Sequence, residues 1–164
     1  MASQVDTGKA PRRKLRFQSI EDVLREIERI EAAEKAGTLR VTGNWTPGQV
    51  LAHLSAWINY AYDGFPMKPA PWFIRAILRM MLPGMLKKGM PSGKSIPNVP
   101  GGTTGADRIS TEEGATRLRA ALRRLSGNEP APHDSPGFGK LSYADRVALN
   151  LRHAELHMSF LNPD

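Results

Sequence analysis

The chain has 164 residues, no cysteine, 40% hydrophobic and 24% charged residues, and a formal charge of +7 at pH 7. That length fits one domain burying roughly 70% of its unfolded surface, with no need of a disulfide or structural metal. The absence of cysteine excludes thiolate zinc sites, iron–sulfur clusters and cysteine nucleophiles, so a transition metal must sit on Asp, Glu or one of four His.

Residues 1–14 read as a disordered basic arm, and 15–164 as a single domain. Ser19 with Asp22 three residues on opens a first helix, in which Ile20, Val23, Leu24, Ile27 and Ile30 recur at helical spacing. It should end near Ala36, with Gly37 as the cap. Thr46-Pro47-Gly48-Gln49 opens a second helix, Thr as N-cap and Pro in the first turn. That helix turns Val50, Leu51, Leu54, Trp57, Ile58 and Ala61 inward and stops before Gly64.

Residues 66–108 are less regular. Seven prolines punctuate them, so a short helix over 71–82 is the expectation, followed by a Gly/Pro/Ser/Thr loop over 89–105. Ser110 with Glu113 forms a further capping box, opening a helix striped by Ala115, Leu118, Ala121, Leu122 and Leu125. A second Pro/Gly loop, 127–140, contains His133. Ser142 with Asp145 starts the last helix, whose inward set is Val147, Leu149, Leu151, Ala154, Met158 and Leu161. Thr38–Thr42 is the one β-like stretch. The pattern predicts an all-α four-helix bundle with a long irregular insertion (66–108) holding a short extra helix.

The positive charge is unevenly placed. Residues 1–17 carry a net +4, residues 18–63 a net −3, and 95–164 balance. Between Asp63 and Asp107 there is no acid, while Lys68, Arg75, Arg79, Lys87, Lys88 and Lys94 supply +6. No RNA-binding signature, zinc-finger spacing or helix-turn-helix accompanies this charge, so no nucleic-acid partner is expected. The apolar run Pro71–Met85 is about 15 residues long and interrupted by Arg75, Arg79 and Pro83, short of the roughly 20 a spanning helix requires. With no signal-peptide core at the N-terminus, a cytoplasmic location is expected. The stripe Trp72, Phe73, Ile77, Met80, Met81 and Met85 reads as core, lid or dimer packing in preference to a membrane-surface face.

Chemistry concentrates on histidine. His153 and His157, four apart, project from one helical face about 40° apart in azimuth. His53 shares the face of Val50, Leu54 and Trp57 and should point into the bundle. Three imidazoles from two core-facing helices could hold Zn²⁺ or Ni²⁺ and leave a position for water or substrate. The spacing excludes a zincin, whose general-base Glu directly follows the first His; here that residue is Ala154, and Glu155 lies about 200° round the helix. His133, Tyr143 and Trp57 are candidate pocket-rim residues, and Gln49, Asn59 and Asn150 candidate hydrogen-bond partners for the imidazoles. Gly93-Lys94-Ser95 is similar to the end of a phosphate loop, but Lys88 stands where its first Gly belongs and no strand precedes it.

Leu15-Arg16-Phe17, the run Gly43-Asn-Trp-Thr-Pro-Gly-Gln-Val-Leu-Ala-His-Leu54, Phe138-Gly-Lys-Leu-Ser142 and His153-Ala-Glu-Leu-His157 together resemble the DinB/YfiT-like superfamily of metalloenzymes over about 15–163. The resemblance implies an up-up-down-down bundle, frequent homodimers, and a divalent metal held by one His of the second helix and an HxxxH pair of the last. Those positions are His53, His153 and His157. It also implies a small-molecule substrate and either small-thiol-dependent transfer or isomerisation, or hydrolysis. Beside it stand a non-enzymatic ligand- or protein-binding bundle with structural histidines, and, more weakly, association with anionic lipid through 71–88.

Overall fold

The computed structural model describes residues 5–97 and 99–164 and is mostly helical. Five helices, α1 (Ile20–Ala36), α2 (Pro47–Asp63), α3 (Trp72–Lys88), α4 (Thr111–Ser126) and α5 (Tyr143–Met158), are joined by β1 (Arg40–Val41) and β2 (Leu161–Asn162), an antiparallel two-stranded pair. Reciprocal capping boxes open α1 through Ser19 and Asp22, and α2 through Thr46 and Gln49. Gly37 closes α1 in the left-handed conformation. At α4 only half of the expected capping box forms. The Ser110 hydroxyl accepts from the Glu113 N–H, but the Glu113 carboxylate instead accepts from the Arg117 guanidinium at 2.5 Å.

The anticipated stripes make the core: Val23, Ile27 and Ile30 of α1, Val50, Leu51, Leu54 and Ile58 of α2, Leu118, Leu122 and Leu125 of α4, and Leu151 and Met158 of α5 are all buried. Leu161 is buried too, but from β2: the last helix stops at Met158, and its final inward residue sits on a strand.

Helix directions differ from the up-up-down-down order. β1 and β2 follow α1 and α5 respectively, so those two helices end together and run the same way. The start of α4 meets the end of α1, where Thr111 Oγ1 donates to Glu34 Oε1 at 2.6 Å. The start of α2 lies against the start of α4, and their ends meet through Arg124 and Asp63 at 2.8 Å. The order is therefore up-down-down-up. The ten residues between α1 and α2 are partly used in β1, which keeps the chain at the end it has reached. Parallel α2 and α4, in contrast, require a return along roughly 25 Å of bundle, and the 66–108 segment makes it. A Cβ on Gly48 would lie 2.0 Å from the Ile109 carbonyl oxygen, so this close crossing of α2 and the α4 entry requires glycine.

The extra helix is not short. α3 is 17 residues long and continues through Pro83, which lacks the N–H for one i→i−4 bond. The Leu, Met, Ile, Ala, Arg and Lys around it are mostly strong helix formers, and Leu82 anchors the helix in the core. α3 packs against α5 outside the four-helix ring.

Residues 5–14 of the expected arm lie along the bundle: Val5 N–H donates to Asn44 Oδ1 at 2.7 Å and Arg13 N–H to the Ser159 carbonyl at 2.8 Å. Residues 1–4 are outside the described part. Phe17 is buried and held by α5. Glu155 Oε1 accepts from the Phe17 N–H at 2.6 Å and pairs with Arg152 at 2.8 Å, and Arg152 also donates to the Phe17 carbonyl. Glu155 is thus committed to the N-terminal segment on the far face of α5. Among the described residues, no helix is long and apolar enough to cross a membrane.

Candidate metal centre

His53 is positioned by the second turn of α2 and is 1% exposed. Its Nδ1 lies 2.7 Å from the Thr104 carbonyl oxygen. A carbonyl only accepts, so Nδ1 carries the hydrogen and Nε2 presents its lone pair inward. The 89–105 loop delivers that carbonyl. Gly105 takes φ 79°, and a Cβ there would come within 2.5 Å of Ala56 Cβ on α2 and 3.0 Å of the Tyr60 hydroxyl. Two properties of glycine, the positive φ and the missing side chain, therefore let the loop lie flat on α2. Thr104 Oγ1 adds a bond to the Tyr60 hydroxyl at 3.2 Å.

α5 brings His153 and His157 to the same point. His53 Nε2 and His153 Nε2 are 3.2 Å apart, and one nitrogen from each of the three imidazoles falls within 4.8 Å of the others. Among the described residues this is the one such group of metal-ligating side chains. Because His53 Nε2 has no hydrogen, His153 Nε2 donates across the short contact, and that hydrogen must shift to Nδ1 before His153 Nε2 can act as a ligand. Trp45, just before α2, stacks on His157 with centroids 5.2 Å apart and planes 15° from parallel. Trp57 closes the other side, 5.7 Å from His153.

Burial holds His53 down at about 4, although the Thr104 bond pulls the other way. His157 is pushed down to about 3, by burial first and by His53 second. His153 is lowered in the same direction by burial and by both neighbouring imidazoles. All three are therefore neutral at ordinary pH, the form that binds a cation. Converging neutral imidazoles, one oriented by a backbone carbonyl, are a donor set that fits a divalent transition metal.

The cluster forms part of the wall of a cavity of about 1740 Å³, covered by the 65–104 segment and the 131–141 loop. His133 lines this cavity as an exposed loop residue, and Trp57 lines it beside the triad. Tyr143 does not line it: it opens α5, 51% exposed, ten residues before His153. The three polar partners expected for the imidazoles serve elsewhere. Gln49 caps α2 and bonds the Ala106 carbonyl, Asn59 accepts from Arg124, and Asn150 donates to the Arg146 carbonyl. The group that does orient an imidazole is a backbone oxygen, which no residue-type pattern reveals. Trp45 had a local signal, in its place one residue before the α2 cap, but its ring acquires meaning only beside α5.

Fold and site together define a helical bundle with a cluster of one buried and two half-buried histidines at the wall of a large cavity. The chain belongs to the family described as protein of unknown function (DUF1569), whose model matches residues 9–164. No curated protein and no solved structure matches it.

Proposed function

We propose that this chain is a DinB-like, divalent-metal-dependent enzyme acting on a small molecule. The observation that carries the reading is the convergence of three neutral imidazole nitrogens within 4.8 Å of one another at a cavity wall. His53, His153 and His157 would hold the ion, with Zn²⁺ or Ni²⁺ the metals that imidazole donors suit. A divalent ion there supplies Lewis acidity. The chain's own part is to keep the imidazoles deprotonated by burial, to fix the His53 tautomer through Thr104, and to shield the site with Trp45 and Trp57. The reaction class is transfer or isomerisation with a small thiol, or hydrolysis. A thiol would have to come with the substrate, since the chain has no cysteine. The reading includes a cytoplasmic location and a homodimer.

A second reading, a non-enzymatic ligand-binding bundle, is favoured by one observation: the acid nearest the pair in sequence, Glu155, is turned to Phe17 and Arg152 and is no general base. Metal analysis of protein purified without a polyhistidine tag separates the two. The first requires a near-stoichiometric divalent ion in the wild type, lost in both His53→Gln and His157→Gln. A metal-free wild type that resists reconstitution, or variants that load fully, would overturn it.

A further inference from the structure

The acid-free stretch between Asp63 and Asp107 finds a structural use in the cavity. Lys68, Lys94, Lys140 and Arg146 line its wall, with Asp134 as the one acid beside them. The lysines are exposed at the mouth, but Arg146 is half-buried. It lies between two aromatic rings, 6.0 Å from Tyr62 and 6.0 Å from Tyr143. Among the described residues its guanidinium has no hydrogen-bond acceptor and no carboxylate partner, and its buried Nε is unsatisfied. The contrast with Arg124, which stacks on the same Tyr62 ring at 4.4 Å, is direct. Arg124 takes both nearby carboxylates, Asp63 and Glu129, through paired contacts of 2.6 to 2.9 Å. Arg146 is left with none.

Position on α5 gives this group a relation to the histidines. Arg146, Asn150, His153 and His157 follow i, i+4, i+7, i+11 spacing, one stripe of the helix, and all four line the cavity. Seven residues separate Arg146 from His153, about 10 Å along the axis. The wall between and opposite them is largely apolar, with Leu149 of α5 and Ile74, Leu78 and Met85 of α3.

We infer that the cavity takes an elongated amphipathic carboxylate, its anionic end held by Arg146 and its apolar body lying along α5 towards the histidine cluster. A half-buried guanidinium without an internal counter-ion is an incomplete pair, and its planar fork matches a carboxylate through two parallel hydrogen bonds. The lysines at the mouth raise the local concentration of anions and draw them inward. The inference deepens the reading of this site as one for a small-molecule substrate, and it can be tested with the histidines unmetallated.

Decanoate and decanol are the probes, titrated by calorimetry into EDTA-treated full-length protein. Decanoate should bind the wild type more tightly than decanol. Arg146→Gln should weaken decanoate by about tenfold or more, the worth of one charge-assisted contact, and leave decanol unchanged. Arg146→Lys should fall between, since it keeps the charge and loses the fork. Circular dichroism of each variant confirms that the helices persist. Equal decanoate affinity in wild type and Arg146→Gln, or decanoate binding no tighter than decanol, overturns the inference. Metal content measured before EDTA treatment reports on the histidine site separately, and Arg146→Gln should leave it at the wild-type value.

Discussion

His53 is oriented by Thr104 through Nδ1, which aims the Nε2 lone pair at His153 3.2 Å away, and it is this orientation that makes a buried histidine a candidate ligand. The cost of the arrangement is acid sensitivity. The folded chain keeps His53 neutral down to about 4 and His157 down to about 3, whereas the unfolded chain protonates both near 6.5. Below 6.5 the unfolded state therefore binds more protons, and stability must fall as pH falls. EDTA-treated protein should hold its full stability above about pH 6.5 and lose it between 6.5 and 4, with a slope approaching about 1.4 kcal/mol per pH unit for each histidine kept neutral. Urea midpoints measured across that range check this, and His157→Phe should reduce the slope. Midpoints flat from pH 7 to 5 would show that the imidazoles are not held neutral in the folded chain.

α2 was legible in its sequence almost to the residue, because Thr46-Pro47-Gly48-Gln49 encodes its start and the apolar spacing encodes its face. The loop that completes the site was legible only as a loop. Its glycines announced irregular backbone, but Gly105 is required because of Ala56 and Tyr60, which meet it from another element. Gly105→Ala should force the loop away from α2 and remove the Thr104 carbonyl from His53. Metal affinity should drop by about 10- to 100-fold, the usual effect of losing the group that orients a ligand, while the bundle still unfolds cooperatively. Competition with a chromogenic zinc chelator measures the affinity, and an unchanged value would mean that the loop does not orient His53. α3 shows the opposite failure of local signals. Pro83 argued for a stop, but packing against α5 and the burial of Leu82 carry the helix past it.

The long connection also shapes the outer surface. Trp72 is 79% and Met80 81% exposed, and Phe73, Ile77 and Met81 extend the same apolar surface of α3. Arg79 donates to the carbonyls of Phe138 and Lys140, while Lys87 and Lys88 in the last turn of α3 stay exposed. Large exposed apolar side chains gathered on one helix suit apolar self-association. Under the homodimer reading, Ile77→Glu with Met80→Glu should convert a sedimenting dimer to a monomer without loss of helix content. A wild type that sediments as a monomer at tens of micromolar would rule out α3 as a dimer face.

Helical periodicity and capping residues, both local, were enough to establish four of the five helices, their core faces and the pair His153 and His157. A spacing of four residues on a helix fixes relative direction without reference to the rest of the chain. Three facts required the tertiary structure. The up-down-down-up order depends on where β1 pairs and on the return run of α3. The meeting of His53 with the α5 pair spans 100 residues of chain. Likewise, whether an arginine is neutralised depends on which carboxylates reach it: Arg124 meets Asp63 and Glu129, and among the described residues Arg146 meets none. Spacing along one element is a property of that element alone, whereas convergence between elements depends on how all of them pack.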